Sequence, residues 1–324
     1  MTITVKRLLA CTCGIGITLM MAGASFAQQI ELRAVTAWPE TESTSDPFFI
    51  WKERVEERFG DRVKITYLGG REVVAPNQQA EALRNGVVDL VWTTPAYYAT
   101  DLPEVIAMSF TDVPPDILRK NGAIDFMNEL HAEQNLHLVG TYWLYESAIF
   151  VNEEVTSSED LAGMKIRTGS FIPFLNALGA SAIQMPLPET FTALERGVID
   201  GMTFPEAMTD TALRPLLKYK LLPTFYAVNM SLLANAEQWA ALPEDLREGM
   251  EQIAIEIEDE VIADTNAMIE EVNELSREVG MQEIMLSDPE VYLDKAYSSV
   301  WEFTRERMPN SADKLEQFFR NGAQ

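Results

Sequence analysis

The sequence predicts an α/β protein of two similar lobes with a long helix spanning both, and three observations carry that expectation. A β-α-β order opens the chain, a nine-residue pattern from one half recurs in the other, and a long acidic helical stretch fills much of the last third. The run Ile30-Glu31-Leu32-Arg33-Ala34-Val35-Thr36 alternates in the manner of a strand. After a turn-rich segment from Pro39 to Pro47, the residues Phe48, Trp51, Val55 and Phe59 recur at helical spacing with charges on the other side. Val63 to Tyr67 reads as a second strand halted by Gly69-Gly70, and this order implies parallel strands joined by a crossover helix.

The recurring pattern lies in Glu81-Ala82-Leu83-Arg84-Asn85-Gly86-Val87-Val88-Asp89 and again in Thr192-Ala193-Leu194-Glu195-Arg196-Gly197-Val198-Ile199-Asp200. In each copy a helix is expected to end at a glycine able to take the left-handed cap, with a short apolar strand following at once. Both strands then run into a threonine-containing turn with proline, Thr93-Thr94-Pro95 and Thr203-Phe204-Pro205. The period is too long for a solenoid, so one copy per lobe is the simplest arrangement. Ligands of open α/β sheets sit beyond the carboxyl ends of the strands, the place these turns occupy.

From Leu136 to Val151 an apolar and aromatic run reads as one long strand passing between the lobes, and Gly163 ends a short helix ahead of the strand that delivers Arg167. From Pro243 to Glu278 the apolar positions Ile253, Ile257, Val261 and Met268 fit one buried helical face, and the length suggests a strut across both lobes.

Lys6 and Arg7, the apolar run from Leu8 to about Ala22 and the small residues up to Ala27 have the layout of a secretory signal peptide, with cleavage expected after Ala27 and a periplasmic destination. Its apolar core is shorter than the ~20 residues of a spanning helix. Cys11 and Cys13 both fall in it, so no cysteine chemistry is expected in residues 28 to 324. Removing it takes two basic residues and no acid, which moves the formal charge from −25 to −27. So acidic a chain lacks the basic footprint that nucleic acids and anionic membranes require.

The segments Asp160-Leu161-Ala162-Gly163-Met164-Lys165-Ile166-Arg167, Leu178-Gly179-Ala180, Met185-Pro186 and Glu189 to Gly201 resemble the solute-binding proteins of tripartite ATP-independent periplasmic (TRAP) transporters, DctP-type. Ala82 to Asp89 and Leu242-Pro243-Glu244-Asp245-Leu246 fit the same pattern, so the resemblance covers most of the chain in order. It implies a two-lobed periplasmic binding protein fold that closes on an organic acid and hands it to a permease of one small and one large integral membrane subunit, with no cofactor. The expected lobes are residues 28–144 with 233–272, and 145–232 with 273–324. In the family the arginine ending the Lys-Ile-Arg strand binds the ligand carboxylate, and Arg167 matches it. A planar guanidinium suits that task because it donates two parallel hydrogen bonds.

Two departures from the family shape the expected ligand. A second arginine, about twenty residues before the first, is replaced by Ser147, and an asparagine before the last proline is replaced by Phe204. With Trp38, Tyr97, Trp143, Thr93, Thr94, Thr203 and Glu146 on neighbouring candidate segments, the site is expected to suit a monocarboxylate with an apolar or aromatic body. Glu146, beside Ser147, is a candidate to orient Arg167 or to accept a ligand hydroxyl, the alternative being a merely exposed side chain. A C4-dicarboxylate or sugar acid is the alternative ligand, and a sensor or another importer the alternative partner. A hydrolase is disfavoured: the nucleophile-elbow and zinc-helix motifs are missing, and His131 and His137, the two histidines, are expected in a surface helix and the loop after it.

Overall fold

The computed structural model describes residues 29–320 except 112, 170 and 208–211; the expected signal segment lies outside the described residues. The first half opens with β1 (Ile30–Thr36), α1 (Asp46–Phe59), β2 (Val63–Gly69), α2 (Pro76–Arg84) and β3 (Leu90–Thr93). After α3 (Pro115–Lys120) and α4 (Ala123–Ala132), the long β4 (Leu136–Val151) leads to β5 (Lys165–Thr168), α5 (Ile172–Ala177), β6 (Ser181–Gln184), α6 (Leu187–Glu195) and β7 (Gly201–Pro205). The chain returns through β8 (Tyr219–Leu222) and β9 (Phe225–Asn235) and continues into α7 (Ala236–Ala240), α8 (Glu244–Glu256) and α9 (Glu258–Glu278). It closes with β10 (Gln282–Met285), α10 (Pro289–Arg307) and α11 (Ala312–Phe319).

Among the described residues the ten strands form one sheet in the order β2-β1-β3-β9-β4-β7-β5-β6, with β8 beside β4 and β10 beside β8. The order reads the same way from both ends. β1 lies parallel between β2 and β3, β5 lies parallel between β6 and β7, and the antiparallel pair β9–β4 joins the two triplets.

The recurring sequence has a common structural cause in the two halves. Gly86 and Gly197 end their helices at φ of 68° and 65°, where a side chain would be strained. The shared aspartate that follows clasps the first strand of its own triplet. Asp89 accepts from the Arg33 backbone N–H at 2.7 Å while donating its own N–H to the Arg33 carbonyl at 2.8 Å. Asp200 does the same with Lys165, at 2.7 and 2.8 Å.

The expected strut is two helices rather than one, meeting at Ile257. No glycine or proline marks the break. Its cause is a distant side chain: the Tyr142 hydroxyl on β4 donates at 2.9 Å to the Ala254 carbonyl, which Glu258 N–H would take in an unbroken helix. Arg119 then forks onto the Glu258 carboxylate at 3.0 and 2.6 Å and holds the start of α9. Helix α8 packs with α1 around Trp51 and Met250, whereas α9 runs on to Asn273, which accepts from Lys220 of β8. The pair therefore spans from α1 to β8, the strand beside β4.

The histidines differ from expectation. His131 is fully buried in α4, with Nε2 3.0 Å from the Tyr98 hydroxyl and Nδ1 2.6 Å from the Met127 carbonyl, and His137 lies within β4, 2.8 Å from Glu251. The expected helix is α4, but it is not all surface: its buried face includes His131, whose ring Tyr98 covers. Burial pushes the His131 pKa down to about 4. The folded pKa lies below the unfolded one, so the unfolded chain binds the extra proton; stability is complete above about pH 6.5 and declines as pH falls toward 4. Between pH 6.5 and 5 the loss from this group is on the order of 2 kcal/mol. Urea unfolding at both pH values checks this, and His131→Gln is expected to flatten the difference.

Candidate functional site

The carboxyl ends of β3 and β7 approach the middle of the β4–β9 ribbon, where the pairing register shifts between Trp143 and Glu146 and again before Ser147. Two cavities flank this place. One, of about 230 Å³, is walled by Thr94 and Phe110 from the first half, Ser147 and Asn229 from the ribbon, and Phe171, Phe174 and Phe303 beyond it. The other, of about 390 Å³, lies among Thr41 to Thr44, Tyr145, Phe204, Pro205 and Met268 of α9.

Pleating decides which expected residues share a surface. In β4–β7–β5 the register partners Ala148 and Phe204, Phe150 and Met202, and Met202 and Arg167 stand on one face, with Ser147 and Thr203 on the other. Arg167 and Phe204 are therefore neighbours on one face, and Ser147 reaches the strand ends from the opposite one. Ser147 and Thr94 line the smaller cavity together, while Phe204 walls the larger.

Arg167 is half-buried and donates from Nε to the Met185 carbonyl at 3.1 Å. Among the described residues it has no ion pair, and burial alone lowers its pKa. A guanidinium remains charged under any physiological condition, so this is a cation drawn partly out of water without a counter-charge. Glu146 does not supply one, because its carboxylate accepts from the Thr224 hydroxyl and its N–H donates to Glu206 at 3.0 Å.

The remaining expected residues divide between cleft and core. Trp38 and Tyr97 contact each other, with ring centroids 5.7 Å apart, and line neither cavity. Trp143 is held in the core by its indole N–H, 2.6 Å from the Met108 carbonyl. Thr93 is buried with its hydroxyl unpaired, and Thr203 donates to Thr168 at 3.0 Å. Thr94 ties the end of β3 to the ribbon by donating to the Asn229 carbonyl at 3.0 Å. Residues that the sequence reading passed over include Phe171, Tyr226, Asn229 and Phe303. The signal available for Asn229 was a polar pair, Asn229 and Ser231, inside an otherwise apolar strand.

Residues 34–303 match the bacterial extracellular solute-binding protein family 7. The chain belongs to that family. Its members carry solutes outside the cytoplasm for transport and are not enzymes, and this chain is a solute-binding protein of the TRAP, DctP-type class. The ectoine-binding periplasmic protein TeaA of Halomonas elongata is 24% identical over 282 residues, which cover 82% of this chain and 78% of TeaA. A TRAP periplasmic solute-binding protein from Rhodobacter sphaeroides, solved in an open state without ligand, superposes with a TM-score of 0.82 at 18% identity over 90% of this chain and 99% of that one. Another from Desulfovibrio salexigens, with bound orotic acid, gives 0.74 at 20% identity over 90% and 98%. The two-lobed α/β architecture is thereby common to all three.

Proposed function

We propose that this protein captures a small monocarboxylate with an apolar or aromatic body and delivers it to a TRAP permease of one small and one large membrane subunit. The observation that carries the reading is Arg167, half-buried at the strand ends with no carboxylate among the described residues paired with it. A ligand carboxylate completes that arrangement through two parallel charge-assisted hydrogen bonds. Ectoine and orotic acid, the ligands named for two of the relatives, each carry one carboxylate. The apolar body is supported by the smaller cavity, whose wall contains no charged residue, and by Phe204 and Tyr145 in the wall of the larger one.

Lobes of 28–144 with 233–272 and 145–232 with 273–324 would meet where the ribbon register shifts, and closure would bend the chain there. Export through cleavage after Ala27 belongs to the same reading.

The acid that copurifies with the protein, identified by mass spectrometry, and its methyl ester provide the test. The ester removes the charge while keeping the body, so its affinity is expected to be at least about 30-fold lower. Equal affinity for acid and ester would sink the carboxylate reading.

A further inference from the structure

The smaller cavity is built around a strained residue. On β9, Phe225 pairs with Ser147 and Ala227 with Glu146, which leaves Tyr226 as the extra residue of a bulge. Its φ of 47° is unfavourable for a bulky side chain, and the surroundings hold it there. The hydroxyl donates to the Ala296 carbonyl of α10, and the ring packs on Phe110 and Phe171 with centroids 4.9 and 5.2 Å away. Residues kept in such conformations cluster at ligand clamps, and Tyr226 lines the cavity.

Nothing in the wall calls for a charge. Among the described residues it contains no Asp, Glu, Lys, Arg or His, whereas the wall of the larger cavity includes Glu42. Thr94 is engaged by the Asn229 carbonyl, and the Asn229 amide donates to Thr141 at 2.7 Å and accepts from Ser231 at 3.2 Å. The hydroxyls of Ser109 and Ser147, also in the wall, are not buried unpaired groups. An ionised guest would therefore lose its hydration with nothing to replace it, whereas an apolar ring gains by leaving water. A dry apolar cavity of about 150 Å³ already holds benzene. This one, of about 230 Å³ among Phe110, Phe171, Phe174 and Phe303, has room for one ring with a short substituent and offers it aromatic neighbours.

We propose that the smaller cavity is a binding site in its own right for an uncharged molecule of one ring, which it takes without help from Arg167. Arg167 lines neither cavity, so the inference goes beyond the carboxylate reading and stands or falls separately from it. The wall draws on Thr94 and Phe110 after β3, on the β4–β9 ribbon, on Phe171 and Phe174 after β5, and on α10. A guest there touches chain from both ends of the sheet and stabilises the arrangement in which they meet.

Titration of the purified protein with fluorobenzene and 4-fluorobenzoate, followed by fluorine NMR, tests this. The parent is expected to bind fluorobenzene saturably, one to one, with a Kd of about 1 mM or tighter. Arg167→Ala should bind it within about twofold of the parent, and in that variant 4-fluorobenzoate should bind at least about 30-fold more weakly than fluorobenzene. Ala227→Leu, which fills the cavity from the ribbon, should weaken fluorobenzene at least about tenfold. Ala96→Leu, at an exposed residue of the same wall, fills it from the other side without touching the core. No saturable binding of fluorobenzene, its loss in Arg167→Ala, equal binding of the two probes by Arg167→Ala, or undiminished binding in every filled variant that folds overturns the proposal. The acid–ester comparison judges the carboxylate anchor whichever way this falls.

Discussion

Arg167→Ala is expected to lower affinity for the captured acid by roughly 30- to several-thousand-fold, a loss on the order of 2–5 kcal/mol. The size follows from what truncation leaves behind. In the closed cleft the ligand carboxylate has exchanged water for the guanidinium fork, and without the fork it is desolvated and unpaired. These two described neighbours offer no substitute, since the Met185 carbonyl beside Arg167 is an acceptor and Phe204, on the same face, has no side-chain donor. Arg167→Lys should restore only part, because an ammonium cannot make the bidentate contact. Calorimetry on a folded variant decides it; affinity within about threefold of the parent would remove Arg167 from the site.

Trp51→Ala is the second large effect, expected to destabilise the fold by about 3–5 kcal/mol. Trp51 is fully buried between α1 and α8, and its indole N–H donates at 3.0 Å to the Met250 carbonyl, 199 residues away in sequence. Truncation removes the largest side chain of that contact, opens a cavity and deletes a long-range hydrogen bond. A fall in Tm of roughly 6–20 °C should accompany it. Val87→Ala, at a residue 57% exposed, should stay within about 0.5 kcal/mol and provides the control.

The two halves were legible because their signals are local. The helix-glycine-strand pattern and its aspartate appear in nine consecutive residues, and the clasp to Arg33 or Lys165 explains why the aspartate belongs to it. Strand β4 was legible from end to end as one apolar run. What escaped depends on partners far apart in sequence. Tyr142 breaks the strut at Ile257, Tyr98 covers His131, and α10 brings Phe303 to the cavity of Ser147. Arg167 was found through its motif, but its lack of a counter-charge is a property of the folded surroundings. The face on which Ser147 stands likewise required the β4–β7 register.

The palindromic strand order also dictates when the chain can fold as it emerges. β3 needs β9 as its second neighbour, and Trp51 needs α8, so the first half lacks an inner edge and one covering helix until the residues around 230 to 250 are available. By then the second triplet has been made. Neither half can complete its core in isolation, and folding becomes a late, joint event dominated by distant contacts, which are slow to form. For a chain exported as proposed above, that delay would be useful, because the incomplete first half would leave the polypeptide unlocked and able to thread.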